Sequence, residues 1–191
     1  MLKKILTTAA LVLAATGVVA DGWTLDNDAS RIQFGSIKKD YVGESHHFTD
    51  VSGNVSEAGN VAISIDLTSV ETWIDIRNER MIEHVFGDVA TATLAATLDM
   101  DAMNALAPGD SMIAEVDGTL TLLGIETEVF TEFFVMRVAD DKVLVTTNDM
   151  IFLRADDAGL DGGLDTLMGL ANLSGITRAS PVSLRLVFDR T

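Results

Sequence analysis

Apolar and polar side chains alternate at every second position in four separate short runs of this sequence. The runs cover residues 31–35, 61–68, 114–122 and 182–188. A period of two is typical of a β-strand that turns one face toward a core and the other toward water. The pattern therefore predicts antiparallel strands, each half buried.

Four further segments have strand character, at residues 23–25, 91–98, 128–138 and 143–148. The polar residues 139–142 separate the last two and predict a hairpin turn. Eight short antiparallel strands are enough to close a small barrel. The sequence therefore predicts an all-β fold, an eight-stranded antiparallel barrel with short inserted helices.

Three segments interrupt the alternation and predict those helices, at residues 75–86, 101–107 and 163–173. The first reads DIRNERMIEHVF and concentrates charge in a chain of strands. Its apolar residues Met81, Ile82, Val85 and Phe86 form one stripe, which we expect to face the barrel. Like charges recur four residues apart along it, so its charged groups do not satisfy one another within the helix. We interpret the segment as a structural helix rather than a catalytic one, and we expect no enzyme activity.

The first twenty residues have the pattern of a secretory signal peptide. Lys3 and Lys4 precede an apolar, alanine-rich stretch, and Val18-Val19-Ala20 has the small or compact residues of a cleavage site. We expect residues 1–20 to be removed and residues 21–191 to form one domain, in the periplasm. No second apolar run is long enough to cross a bilayer, so we expect no stable membrane insertion.

Composition narrows the classes of function. The chain contains no cysteine, which excludes thiolate nucleophiles and thiolate metal sites. Its formal net charge is −16, so nucleic acid and anionic membrane surfaces would repel it. No G-x-S-x-G serine motif is present.

The three histidines leave one catalytic alternative open. His46 and His47 are adjacent, so on a strand their side chains point to opposite faces. His84 lies far along the chain and would join them at a metal only if the fold gathered all three. We expect histidines at the surface or the rim and no metal or cofactor; a metal-dependent periplasmic enzyme using His46, His47 and His84 is the alternative.

Six sequence motifs, in the same order, resemble the YceI-like family of periplasmic, lipocalin-like proteins. They span nearly all of residues 23–188 and are WTLD at 23–26 with Ser30; GESHHF at 43–48 with Gly53; IDLTSVET at 65–72; RNERM at 77–81 with Phe86; VDGTLTLLG at 116–124; and Arg154 with Gly159. The resemblance implies a lipocalin-like barrel whose apolar channel binds a polyisoprenoid or a similar long-chain lipid. Members of this family are regarded as carriers rather than enzymes, and some lie beside membrane cytochrome b proteins.

Strand alternation and the neighbouring motifs together indicate which side chains would line such a channel. The candidates are Ile32, Phe34, Phe48, Ile63, Ile65, Met81, Phe86, Leu120 and Leu122. The leading hypothesis is a periplasmic carrier of an isoprenoid or other long-chain lipid. A third hypothesis is a ligand-free interaction or stress module that docks on a membrane redox partner such as a cytochrome b, and a homodimer is a further expectation.

Overall fold

The computed structural model describes residues 22–191; the predicted signal peptide, residues 1–20, lies outside the described residues. Twelve strand segments form one antiparallel sheet in this part of the chain. They are β1 (Gly22–Leu25), β2 (Arg31–Lys38), β3 (Val42–Phe48), β4 (Val51–Ser56), β5 (Asn60–Asp66), β6 (Val70–Glu71), β7 (Thr91–Thr97), β8 (Ser111–Leu122), β9 (Ile125–Ala139), β10 (Lys142–Thr147), β11 (Ile151–Arg154) and β12 (Ala179–Arg190).

The sheet closes on itself as an eight-stranded ring. Its order is β1-β4-β5-β7-β8-β9-β10-β12, and β12 returns to β1 with Trp23 opposite Arg190. Every pair is antiparallel, and closure leaves no free edge around this ring. The predicted all-β, eight-stranded antiparallel barrel is confirmed.

Some positions in the ring are formed by two shorter strands that follow each other along one long neighbour. The long strand β12 pairs with β1 through its C-terminal half and with β2 through Val182, opposite Phe34. Strands β1 and β2 therefore occupy one strand position of the barrel, although the sequence pattern counted them as two strands. Strands β3 and β4, which the pattern did not predict, pair with β2 and β1 and complete the wall.

Three short helices accompany the described strands: α1 (Asp75–Met81), α2 (Met100–Asn104) and α3 (Asp161–Leu170). A π-helical turn, Ile82–Phe86, continues α1, so the predicted helix at 75–86 is present in two parts. Gly87 ends it at a φ of 59° and donates its amide to the Ile82 carbonyl at 2.9 Å. None of the helices within residues 22–191 is long and apolar enough to span a bilayer.

The two ends of the barrel differ. At one end Trp23 is buried, with the guanidinium groups of Arg137 and Arg190 at 4.7 and 5.7 Å from its ring centroid. At the other end α1, the π-helical turn and α3 pack over the strands. These helices bound the larger cavity described below.

Candidate functional site

The interior of the barrel contains a cavity of about 490 Å³ beneath the helical end. This volume lies within the range of small-molecule binding pockets. Inward-facing side chains of β2, β3, β5, β7, β8, β9, β11 and β12 line it, together with α1, the π-helical turn and α3. Most of these side chains are aliphatic or aromatic, so the cavity matches an apolar guest.

Eight of the nine candidates from the sequence line this cavity: Ile32, Phe34, Phe48, Ile65, Met81, Phe86, Leu120 and Leu122. Ile63 does not. It is 2 % exposed and lines a second cavity of about 110 Å³ at the end of the barrel where Trp23 is buried. Ile63 and Ile65 share one face of β5, but two residues along the strand take Ile63 past the main cavity. That any of the nine contacts a ligand stays a prediction.

A common wall separates the two cavities. Leu94, Ala96, Val116 and Phe133 line both of them. These four side chains belong to the adjacent strands β7, β8 and β9. They therefore mark the side of the barrel along which the two cavities adjoin, and the second cavity continues from there toward Trp23.

The π-helical turn forms part of the roof. Met81, Val85 and Phe86 are each 7 % exposed, and Ile82 packs against the core from its edge. The ring of Phe86 lies 6.1 Å from that of Phe48, which lies 5.4 Å from that of Phe34. A row of aromatic rings therefore runs from the roof down the wall formed by β2 and β3.

The roof is open beside the start of α1. Ile74 and Ile76 line the cavity and yet are 43 % and 51 % exposed, so solvent reaches the cavity at this point. Trp73, beside them, is 74 % exposed and has a φ of 65°, which is unusual for a residue with a side chain. Asn78 holds the loop in place, since its Oδ1 accepts from the Thr72 amide at 2.9 Å.

Polar groups are concentrated in one part of the lining, which we call the polar corner: Ser36, Lys38, Glu44, His46 and Arg77. Glu44 accepts from Lys38 Nζ at 2.9 Å and from Arg77 Nη1 at 2.8 Å. Ser36 Oγ lies 3.1 Å from His46 Nε2. Arg77 thus connects α1 to β3.

The environment of the polar corner changes two pKa values. Burial opposes ionisation of Glu44, but its hydrogen bonds to Lys38 and Arg77 outweigh burial and lower its pKa. Burial, followed by the charge of Arg77, lowers the pKa of His46 from 6.5 to about 4. At neutral pH, His46 is therefore uncharged and Glu44 is ionised.

The expectation that the histidines lie at the surface or rim is wrong for two of them. His46 and His47 point to opposite faces of β3, as predicted, but they are only 4 % and 6 % exposed. His47 is covered by Trp73, whose ring centroid lies 5.5 Å away. His84 is partly exposed beside Glu83. In the described part of the chain, no three histidine or acidic residues are grouped as metal ligands.

Sequence reasoning missed the polar corner as part of the lining. One signal was present, because His46 lies two residues before Phe48 on the same strand and therefore shares its face. The position of Arg77 in the cavity lining could not be predicted in this way, since it depends on how α1 packs over β3. Together the cavity and its corner can hold an apolar chain that carries a polar end.

Comparison with known proteins agrees with this architecture. The model of the YceI-like domain matches residues 23–176. A polyisoprenoid-binding domain from Saccharophagus degradans, implicated in plant cell wall breakdown, is 35 % identical, with a TM-score of 0.87 over 88 % of this chain and 98 % of that domain. BcnA of Burkholderia cenocepacia is 16 % identical, with a TM-score of 0.65 over 85 % of this chain and 98 % of its own, and shares the fold.

A YceI protein of Campylobacter jejuni, 15 % identical, aligns over 76 % of this chain and 84 % of its own with a TM-score of 0.50. No curated protein matches the sequence. The resemblance noted in the sequence motifs is therefore confirmed by the family model and by a solved domain. The protein belongs to the family of YceI-like domains.

Proposed function

We propose that this protein binds the chain of a polyisoprenoid, or of a similar long-chain lipid, inside its barrel and carries it without chemical change. The observation that carries the proposal is the cavity of about 490 Å³ with its predominantly apolar lining. The polyisoprenoid-binding domain of Saccharophagus degradans, at 35 % identity, supports the same class of ligand.

Burial of hydrocarbon supplies the driving force in this proposal. Each buried methylene contributes about 0.8 kcal/mol, so one isoprene unit contributes on the order of 4 kcal/mol before the costs of association. A hydrocarbon chain needs few directional contacts, which agrees with a lining of aliphatic and aromatic side chains. The opening beside the start of α1, at Ile74 and Ile76, provides a path for the chain to enter.

The proposal includes a location and the absence of catalysis. The signal-like residues 1–20 support export to the periplasm, where a carrier would hold a water-insoluble lipid away from water. The polar corner supports binding rather than catalysis, because Glu44 is engaged by two cations instead of orienting His46 as a base. A homodimer and a membrane cytochrome b partner stay predictions.

Native mass spectrometry of the protein purified from its producing cells, with chemical analysis of extracted lipid, tests this function. We expect an added mass that dissociates as a long-chain lipid, and signal-peptide cleavage before Asp21. Protein that is always empty and also fails to take up prenyl or fatty-acyl probes would contradict lipid carriage. An intact N-terminus found only in the cytoplasmic fraction would contradict the location alone.

A further inference from the structure

The charged side chains that line the main cavity are mostly basic, although the whole chain is strongly acidic. Four basic residues, Lys38, Arg77, Arg80 and Arg178, line it against one acidic residue, Glu44. The chain as a whole has 29 acidic and 13 basic residues. The lining therefore reverses the charge balance of the molecule.

Part of this basic charge is not neutralised within the described residues. Arg178 pairs with Asp161 and Asp165. Glu44 alone serves both Lys38 and Arg77. Arg80 forms no ion pair among residues 22–191, and Glu83 lies 3.7 Å from His84 Nε2 instead. The cations around the polar corner thus exceed the anions.

Two nitrogen atoms at the polar corner also lack hydrogen-bond partners among residues 22–191. Arg77 donates from Nη1 to Glu44 and from Nη2 to the Thr72 carbonyl, but its Nε has no acceptor. His46 is 4 % exposed, and its Nδ1 has no partner. An unpaired buried donor costs about 1–3 kcal/mol, so an acceptor supplied from the cavity would stabilise this corner.

We propose that the polar corner, with Arg80, receives the anionic oxygen-bearing head group of the lipid, a phosphate or a carboxylate. This inference rests on the proposed function. The head accepts from Arg77 Nε and from His46 Nδ1, in the tautomer in which Ser36 Oγ donates to His46 Nε2. Arg80 supplies positive charge, because Glu44 already pairs with Lys38 and Arg77 and does not neutralise it.

Both unpaired nitrogens lie just beneath the lining rather than open to it. A small turn of the Arg77 guanidinium and of the His46 ring therefore accompanies binding. A neutral alcohol head would complete one hydrogen bond but leave the excess positive charge unbalanced. Charge-assisted hydrogen bonds are about twice as strong as neutral ones, so the anionic head is preferred.

Three ligands share the same geranylgeranyl tail and differ only in the head group: geranylgeranyl phosphate, geranylgeranoic acid and geranylgeraniol. Together they distinguish the contribution of the head group to affinity from that of the tail. Titration of the purified protein should give dissociation constants at least about tenfold lower for the two anions than for the alcohol. A preference for the phosphate alone or the acid alone would identify which anion the corner takes. Geranylgeranyl phosphate should also shift the ring nitrogen resonances of His46.

Arg80→Gln is the first variant, because Arg80 is half-buried and has no ion pair to lose within the described chain. It should weaken binding of the two anions more than binding of the alcohol, and so bring the three dissociation constants to within about threefold of one another. His46→Gln retains an amide near the position of Nε2, removes Nδ1 and should act in the same direction. Arg185→Gln is the matched control, since Arg185 is exposed on β12 outside the cavity.

Equal binding of all three ligands by the wild-type protein would overturn the head-group site and leave the proposed function standing. Equal weakening of all three by Arg80→Gln would also overturn it, since it would indicate a general effect on the cavity. If none of the three binds, both the proposed function and this inference fail. Thermal melting of each variant verifies that it folds.

Discussion

His46 connects burial, protonation and stability at a single residue. Its pKa is 6.5 in the unfolded chain and about 4 in the folded protein, because burial and the charge of Arg77 disfavour the imidazolium. Between these two pH values the unfolded chain binds more protons than the folded one. The stability contributed by the neutral ring is therefore complete above pH 6.5 and is lost as the pH falls toward 4.

The replacement His46→Gln should flatten this part of the pH dependence, because glutamine does not titrate. We expect the wild-type protein to lose up to about 3 kcal/mol more unfolding free energy than the variant between pH 7 and pH 4. Denaturant unfolding at a series of pH values measures the difference. Carboxylates such as Glu44 titrate in both proteins and cancel in the comparison. Parallel curves for the two proteins would contradict the low pKa.

At the scale of elements, α3 packs against the π-helical turn through a glycine. A Cβ atom on Gly163 would lie 2.6 Å from the Cα of Val85 and 2.7 Å from the His84 carbonyl oxygen. Neither backbone atom can move without shifting the roof of the cavity. The same Cβ on the preceding Gly162 would meet nothing within 4 Å. The packing of α3 therefore excludes a side chain at position 163 but leaves room for one at position 162.

Gly163→Ala should destabilise the protein by about 1–3 kcal/mol and loosen α3 from the roof, because the added methyl group overpacks the contact. Gly162→Ala is the control and should stabilise the helix by about 0.5–1 kcal/mol. Thermal melting measures the stability, and hydrogen exchange of the amides of α3 measures the loosening. Equal effects of the two substitutions would show that the close approach of α3 is not required.

The wall shared by the two cavities should limit how far a lipid chain extends. Phe133 is 8 % exposed and has the largest side chain of the four that line both cavities. Phe133→Leu should connect the cavities and shift bound lipid toward longer chains in native mass spectra. Phe130→Ala is the control, because Phe130 is 66 % exposed on the outer surface. An unchanged length distribution in Phe133→Leu would show that this wall does not limit the chain.

Elements with clear alternation were predictable from the sequence, and polar ones were not. Strand β5 reads NVAISID and shows its period of two directly. Strands β3 and β4 read VGESHHF and VSGNVS, in which glycine and polar residues hide the pattern. Their pairing with β2, β1 and β5 determines their structure, so tertiary contacts override a weak local signal. The burial of His46 and His47 was missed for the same reason.

At the scale of the whole molecule, closure of the barrel could be predicted from the number of strands, whereas its hollow interior could not. Alternation identifies which side chains point inward without showing whether they fill the space. Small residues at inward positions, namely Ala92, Ala96, Gly118 and Ala155, help to leave the cavity open. Their effect depends on which residues face them across the barrel. The same holds for Arg77, whose place in the lining depends on the docking of α1.

The central claim is that a long apolar chain occupies this interior, and Ala96 offers the most direct test. Ala96 lines both cavities, whereas Ala95 lies exposed on the opposite face of the same strand. Phenylalanine at position 96 would block the interior, and at position 95 it would project outward. The two variants therefore add the same side chain with opposite consequences.

The measurement is equilibrium uptake of radiolabelled geranylgeraniol by the wild-type protein, Ala96→Phe and Ala95→Phe, each verified as folded by thermal melting. The wild-type protein and Ala95→Phe should bind about one molecule per chain, and Ala96→Phe should bind at least about tenfold more weakly. Equal uptake by all three proteins, or no uptake by the wild-type protein, would contradict a lipid held inside the barrel.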